Sequence, residues 1–139
     1  MKLPIYQVDA FTSEIFKGNP AAVVPLKEWL PDEVMQNIAI ENNLSETAFF
    51  IPDSDNFHLR WFTPATEVNL CGHATLGTSW IIFNILDYDK KEIIFESKSG
   101  ELRATKSDDG ITLDFPACES VLATNTAPIY EQALSLIHI

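Results

Sequence analysis

The residues Gly72-His73-Ala74-Thr75-Leu76-Gly77-Thr78-Ser79-Trp80-Ile81-Ile82-Phe83-Asn84-Ile85-Leu86 decide how the chain must fold. Their pattern predicts a helix over 72–86 whose apolar residues do not share one stripe. Leu76, Trp80, Ile81, Ile82, Phe83, Ile85 and Leu86 are spread round the axis, and a helix of that kind has to be enclosed by other elements. Full burial of each such side chain contributes about 1.5–3 kcal/mol, so this helix is expected to organise the core. The strongly apolar part, Trp80 to Leu86, is too short to span a bilayer.

Strand patterns lie on both sides of it. After the helix come Glu92 to Ser97, Glu101 to Lys106 and Ile111 to Phe115, separated by Ser99-Gly100 and Asp109-Gly110, which supply hairpin turns and predict a meander. Before it, Ile5 to Phe11 reads as a strand, followed by a loop through Gly18-Asn19-Pro20 and a short strand from Ala21 to Val24 that Pro25 ends. A helix is expected from Pro31, which suits a first helical turn, with Asp32 and Glu33 placed where the helix dipole favours negative charge. Leu30, Val34 and Ile38 recur at helical spacing, and Asn42-Asn43 supply a stop. Ser45 to Ile51 and Phe57 to Thr63 then read as strands, closed by Pro52 and Pro64. The expected class is α+β, a curved, mostly antiparallel sheet wrapped around one buried central helix. Residues 1–116 are expected to form one domain. Residues 117–139 are expected to be the start of a linker or second domain cut short, with a tail, Ser135 to Ile139, that is not native coding sequence.

The chain has 139 residues, of which 46% are hydrophobic and 21% charged, enough for one compact core. Its formal net charge of -11 repels phosphate backbones. Of the nine Lys and Arg residues only Lys90 and Lys91 are adjacent, so neither nucleic acid nor a membrane surface is expected as a partner. Met1 to Ala10 run into a strand pattern rather than a secretory leader. The two cysteines, Cys71 and Cys118, set neither a disulfide framework nor a zinc motif. A reduced, cytoplasmic setting is expected.

Two segments carry candidate chemistry. In Asn43-Leu44-Ser45-Glu46-Thr47-Ala48-Phe49-Phe50, strand alternation puts Glu46 on one face with Ala48 and Phe50. A carboxylate in apolar surroundings has its charged form disfavoured, which tunes it for acid–base work near neutral pH. A Glu46 that opens an edge strand and points into water is the competing reading. In the second segment, Arg60-Trp61-Phe62-Thr63-Pro64 leads through Glu67 to Cys71-Gly72-His73-Ala74-Thr75. A helix start has free N–H groups and partial positive charge. Without a side chain at Gly72 a carboxylate could reach those amides, and the same dipole would favour a neutral His73. An ordinary helix start with a locally packed His73 stands as the alternative. Cys71 could be an activated thiol or a small buried hydrophobe. His58 and His138 have no companions at metal-ligand spacing, and no motif for a metal or nucleotide cofactor is present.

Four blocks, Val8 to Phe11, Gly18 to Val24, Leu44 to Phe49 and Arg60 to Thr75, resemble the PhzF-like family in content, order and approximate spacing. The resemblance implies one half of a diaminopimelate epimerase-like protein, with two similar domains and an active site in the cleft between them. It implies that Glu46 moves a proton on a small acidic substrate, that Gly72, His73 and Ala74 help to bind it, and that no cofactor takes part. It also implies that a second domain supplies an aspartate to the cleft, and nothing after Phe115 matches that part. A chain that ends here would expose its cleft face, which invites self-association as a homodimer or aggregation. Two other readings stay open: an epimerase or racemase that uses Cys71 as one of a thiol pair, and an inert half that only self-associates.

Overall fold

The computed structural model describes residues 2–14 and 16–117. In chain order its elements are β1 (Tyr6–Ala10), β2 (Asn19–Pro25), α1 (Asp32–Asn42), β3 (Glu46–Asp53), β4 (Asn56–Phe62), β5 (Glu67–Val68), α2 (Gly72–Asn84), β6 (Glu92–Ser97), β7 (Gly100–Ser107) and β8 (Gly110–Asp114). Cys118 and the rest of 117–139 expected to follow the domain lie, apart from Ala117 itself, outside the described residues.

Ala21, Ala22, Val23 and Val24 are all but sealed from solvent, which a strand achieves only with neighbours on both edges and cover on both faces. β2 has both. It pairs antiparallel with β1 and parallel with β3, and the sheet continues through β4, β6, β7 and β8, with β5 added on β4. The β3–β4, β4–β5, β6–β7 and β7–β8 pairs are antiparallel, whereas β4 and β6 run parallel. The sheet is therefore mixed, with antiparallel pairing in the majority, and curls into a half-barrel.

Each parallel pair explains one helix. Parallel strands need a long crossover connection, usually helical, and α1 joins β2 to β3 while α2 lies between β4 and β6. One face of the sheet buries Ala21, Val23, Ala48, Phe50, Leu59 and Trp61 with Ile81 and Ile82 of α2. The other buries Val24, Phe49 and Phe62 with Met35 and Ala39 of α1. α2 touches β1, β2 and β3 as well as β7 and β8, and so meets both terminal strands of the sheet path.

Enclosure of α2 is less complete than its composition predicts. Ala74, Thr75, Gly77, Thr78, Ser79, Ile81, Ile82 and Phe83 are buried, but Trp80, Ile85 and Leu86 keep 45%, 45% and 43% of their surface exposed. The helix stops at Asn84, short of the expected Leu86. The small residues form its most buried side. Thr75, Thr78 and Ser79 each donate a hydroxyl hydrogen bond to the carbonyl four residues earlier, at 2.6, 2.8 and 2.8 Å, so their burial leaves no hydroxyl unpaired. Trp80 and Ile85 instead line an open groove with Ile5, Phe11 and Ile111, where β1 and β8 leave the helix uncovered. Other boundaries shift by a residue or two: Asn19 and Pro20 belong to β2 rather than to a loop, and Pro31 is the N-cap of α1 rather than its first helical residue.

Close approach of α2 to the sheet depends on Gly77, where an added Cβ would lie 3.5 Å from Val8 Cβ and 4.0 Å from Val23 Cγ2. That space fits one methyl group. Gly77→Ala is expected to leave the urea midpoint unchanged or raise stability by up to about 1 kcal/mol through helix propensity. Gly77→Leu overpacks the contact and is expected to cost about 1–3 kcal/mol.

Candidate active site

Glu46 owes its position to the end of α1. Asn43 takes a left-handed conformation with φ 49° and closes the helix by donating its N–H to Ala39 O at 3.2 Å, a role asparagine tolerates better than most residues. Asn42 Nδ2 donates to Thr47 Oγ1 at 3.1 Å, tying the helix end to the new strand. Glu46 is then the first residue of β3, opposite Ala21 of β2. Its neighbours on that face, Ala48 and Phe50, belong to the α2-side core. Its side chain is 18% exposed, so it does not project freely into water.

His73 arrives from the other crossover. Arg60 Nε and Nη2 donate to the two oxygens of Glu67 at 2.7 and 2.9 Å, and Arg60 also meets Asp32 at the start of α1 at 2.9 Å. The guanidinium lies over the rings of Trp29 and Phe62. Lys98 pairs with Glu67 as well. Hydrogen bonding to Arg60 holds the Glu67 carboxyl below the usual carboxylate range, and the same bond raises Arg60. Within the intervening turn, Thr63 Oγ1 accepts the N–H groups of Ala65 and Thr66. This brace fixes the connection that delivers Cys71 to the start of α2.

There the first helical bond runs from Thr75 N–H to Cys71 O, which leaves the amides of Gly72, His73 and Ala74 without acceptors inside the helix. A Cβ on Gly72 would lie 3.6 Å from Phe115 Cε2, an ordinary contact. The absent side chain thus faces a phenyl ring, not a gap reserved for a ligand.

Glu46, Cys71 and His73 converge, with one donor atom from each lying within 4.8 Å of the others. His73 Nε2 is 3.2 Å from Glu46 Oε2, and His73 Nδ1 is 3.4 Å from Cys71 Sγ. Both Glu46 Oε2 and His73 Nε2 are buried without a hydrogen-bond partner, so their approach is close but out of line for a hydrogen bond. Burial, more than any neighbour, pushes the Cys71 thiol from 9.0 up to about 11; the Glu46 carboxylate adds to the rise, and the amides of Ala74 and His73 oppose it. The thiol is therefore protonated at neutral pH. A metal ion would need the thiolate, and would have to draw sulfur and carboxylate to one nitrogen of a ring that meets them at different nitrogens. The arrangement suits proton handling better than ion binding.

The sequence placed Glu46, Gly72, His73, Ala74 and Cys71 as candidates, and the structure brings all of them to this one locus. It also places His58 away from it, paired with Asp53 at 3.0 Å and Glu96 at 3.7 Å. His138 and Cys118 lie outside the described residues. Reading the sequence missed the bracing role of Arg60 and Glu67. The available signal was a pair of opposite charges on either side of the Thr63-Pro64 turn, just ahead of the helix start.

Residues 8–132 match the profile of the family described as phenazine biosynthesis-like protein, PhzC-PhzF. An uncharacterized isomerase of Pseudomonas aeruginosa is 53% identical over 117 residues, covering 84% of this chain and 45% of that protein. A crystal structure of a PhzF-family phenazine biosynthesis protein from Enterococcus faecalis superposes with a TM-score of 0.82 at 51% identity, covering 96% of this chain and 51% of that one. A hydroxyproline epimerase of Agrobacterium vitis shares the fold at 13% identity with a TM-score of 0.56, covering 80% of this chain and 40% of its own. The chain spans about half the length of the curated relatives it matches.

The raised thiol value has a measurable consequence. A folded-state value above the unfolded one means that stability is intact below about pH 9 and is lost as pH rises toward 11. In a Cys118→Ser background, the unfolding midpoint is expected to fall more steeply over that range than in the same protein carrying Cys71→Ser. Parallel curves for the two proteins would show that Cys71 is not buried as a neutral thiol.

Proposed function

Since the chain belongs to the phenazine biosynthesis-like family, we propose that it is one half of an isomerase in which Glu46 moves a proton between two carbons of a small carboxylate-bearing metabolite. The observation that carries this reading is the pair of buried, unpartnered polar atoms, Glu46 Oε2 and His73 Nε2, at a helix start whose first amides have no acceptor inside the helix. Leaving such atoms unpaired costs about 1–3 kcal/mol each, a cost that a bound polar substrate would offset.

In the proposed reaction the substrate carboxylate sits at the amides of Gly72, His73 and Ala74, held by the partial charge of the helix start. Glu46 takes a proton from one carbon. The C–H electron pair becomes a new double bond, and the displaced π pair receives the proton from Glu46 at the second carbon. Bonds, protons and electrons balance, and the scheme calls for no cofactor. The curled sheet around α2 would be one wall of a cleft in a diaminopimelate epimerase-like pair of domains, with the other wall in the second half that the relatives' length implies. The described half alone is expected to turn over little or nothing. A thiolate base at Cys71, as in a cysteine-dependent epimerase, is opposed by the burial that keeps this thiol protonated.

The test uses a protein that carries this chain together with such a second half. Incubated with substrate in deuterium oxide, it should isomerise with solvent deuterium entering the product carbon. Glu46→Gln should lose at least about 10²-fold in kcat with little change in unfolding midpoint. Near-normal turnover by Glu46→Gln would overturn the assignment.

A further inference from the structure

We propose that Cys71 is a positioning residue for His73: its thiol donates to Nδ1 and so holds the imidazole as the neutral tautomer that carries its proton on Nε2, toward Glu46. The inference rests on the reading of Glu46 and His73 as one site, but its test does not depend on turnover.

The geometry leads to it in three steps. His73 Nε2 and Glu46 Oε2 face each other at 3.2 Å in a buried setting. Two bare acceptors at that distance repel, so one of them has to carry a proton. In the proposed arrangement that proton is on His73, as the single N–H of its ring. A proton on Nε2 meets the carboxylate and leaves Nδ1 as an acceptor. Nδ1 has one neighbour of suitable chemistry recorded among the described residues, the Cys71 sulfur at 3.4 Å; the Glu46 carboxylate is a second acceptor for the same thiol, and in the proposed arrangement the proton goes to Nδ1.

The side chain of His73 is only 10% exposed, so water has little access to replace that donor. Cys71 is itself the N-cap of α2, in extended conformation with φ -145° and ψ 114°, and makes no capping hydrogen bond through its side chain. The sulfur lies beside the amides of His73 and Ala74 and the Glu46 carboxylate, and in the same position it reaches the ring two residues on. Capping residues are usually Ser, Thr, Asp or Asn. The use of cysteine here trades a helix cap for a weak donor placed at Nδ1.

Nitrogen-15 NMR of the histidine rings in the 139-residue chain, near neutral pH, reads this directly. The expected pattern for His73 is a protonated Nε2 and an unprotonated Nδ1 whose resonance is shifted by an accepted hydrogen bond. Cys71→Ser should keep that shift, because its hydroxyl also donates. Cys71→Ala should lose it, with Nδ1 moving to the position of a free acceptor or gaining a proton. A proton on Nδ1 in the unsubstituted chain, a doubly protonated ring, or a Nδ1 resonance identical in the unsubstituted and Cys71→Ala chains would overturn the proposal. Should Cys71→Ala fail to fold, the unsubstituted pattern and the Ser comparison still decide. An intact Nδ1 pattern together with an active Glu46→Gln enzyme would instead refute only the proton-transfer reading.

Discussion

Two parallel pairings inside an otherwise antiparallel sheet govern the rest of the molecule. β2 cannot lie parallel to β3, nor β4 to β6, without a connection that returns the chain to the same end of the sheet. Those connections are α1 and α2, and they cover opposite faces. The end of the first crossover places Glu46 at the opening residue of β3, and the start of the second helix places His73. The site is thus the meeting point of the two crossovers. Glu46 lies 25 and 27 positions from Cys71 and His73 in the chain, and yet one atom of each lies within 4.8 Å of the others.

Under the proposed function such a meeting point has to be rigid, because a misplacement of about 1 Å in a catalytic group can cost on the order of 100-fold in rate. Rigidity at Glu46 comes from the left-handed Asn43, the Asn42 bond to Thr47 and the parallel pairing with Ala21. At His73 it comes from the Arg60–Glu67 pair, which is largely shielded, with side chains 17% and 15% exposed. Arg60 also reaches Asp32 on α1, so one guanidinium links the starts of both crossovers. Two-pronged pairing of this kind depends on the planar fork of arginine, and lysine would not reproduce it.

Much of this was legible in the sequence. Ala21 to Val24 read as a strand, and the alternation through Glu46, Ala48 and Phe50 put Glu46 on the face it occupies. Asn42-Asn43 marked the end of α1 correctly. Parallel pairing was not legible, because strand pattern carries no direction. The two-residue β5 was too short to register in any periodicity. The exposed side of α2 was misread for a related reason. Composition counts apolar residues round an axis, but whether Trp80 and Ile85 are covered depends on how far β1 and β8 curl over them. At the site, Glu46 and His73 were singled out, but the position of Cys71 Sγ against Nδ1 depends on side-chain geometry that spacing does not encode. The bracing Arg60 likewise gains its meaning only when Trp29, Asp32 and Glu67 gather around it. No helix among the described residues is long and apolar enough to cross a membrane, in line with the short apolar run at 80–86.

The account stands on the claim that the start of α2 and Glu46 form one ligand site rather than two separate local features. Titration of the isotope-labelled 139-residue chain with benzoate, followed by backbone and side-chain NMR, addresses that claim directly. The account predicts saturable shifts in the amides of Gly72, His73 and Ala74 together with the Glu46 carboxyl resonance, all following one binding curve, while the Trp80–Ile85 groove stays unchanged. Shifts confined to that groove, or amide and Glu46 responses that follow different curves, would contradict it.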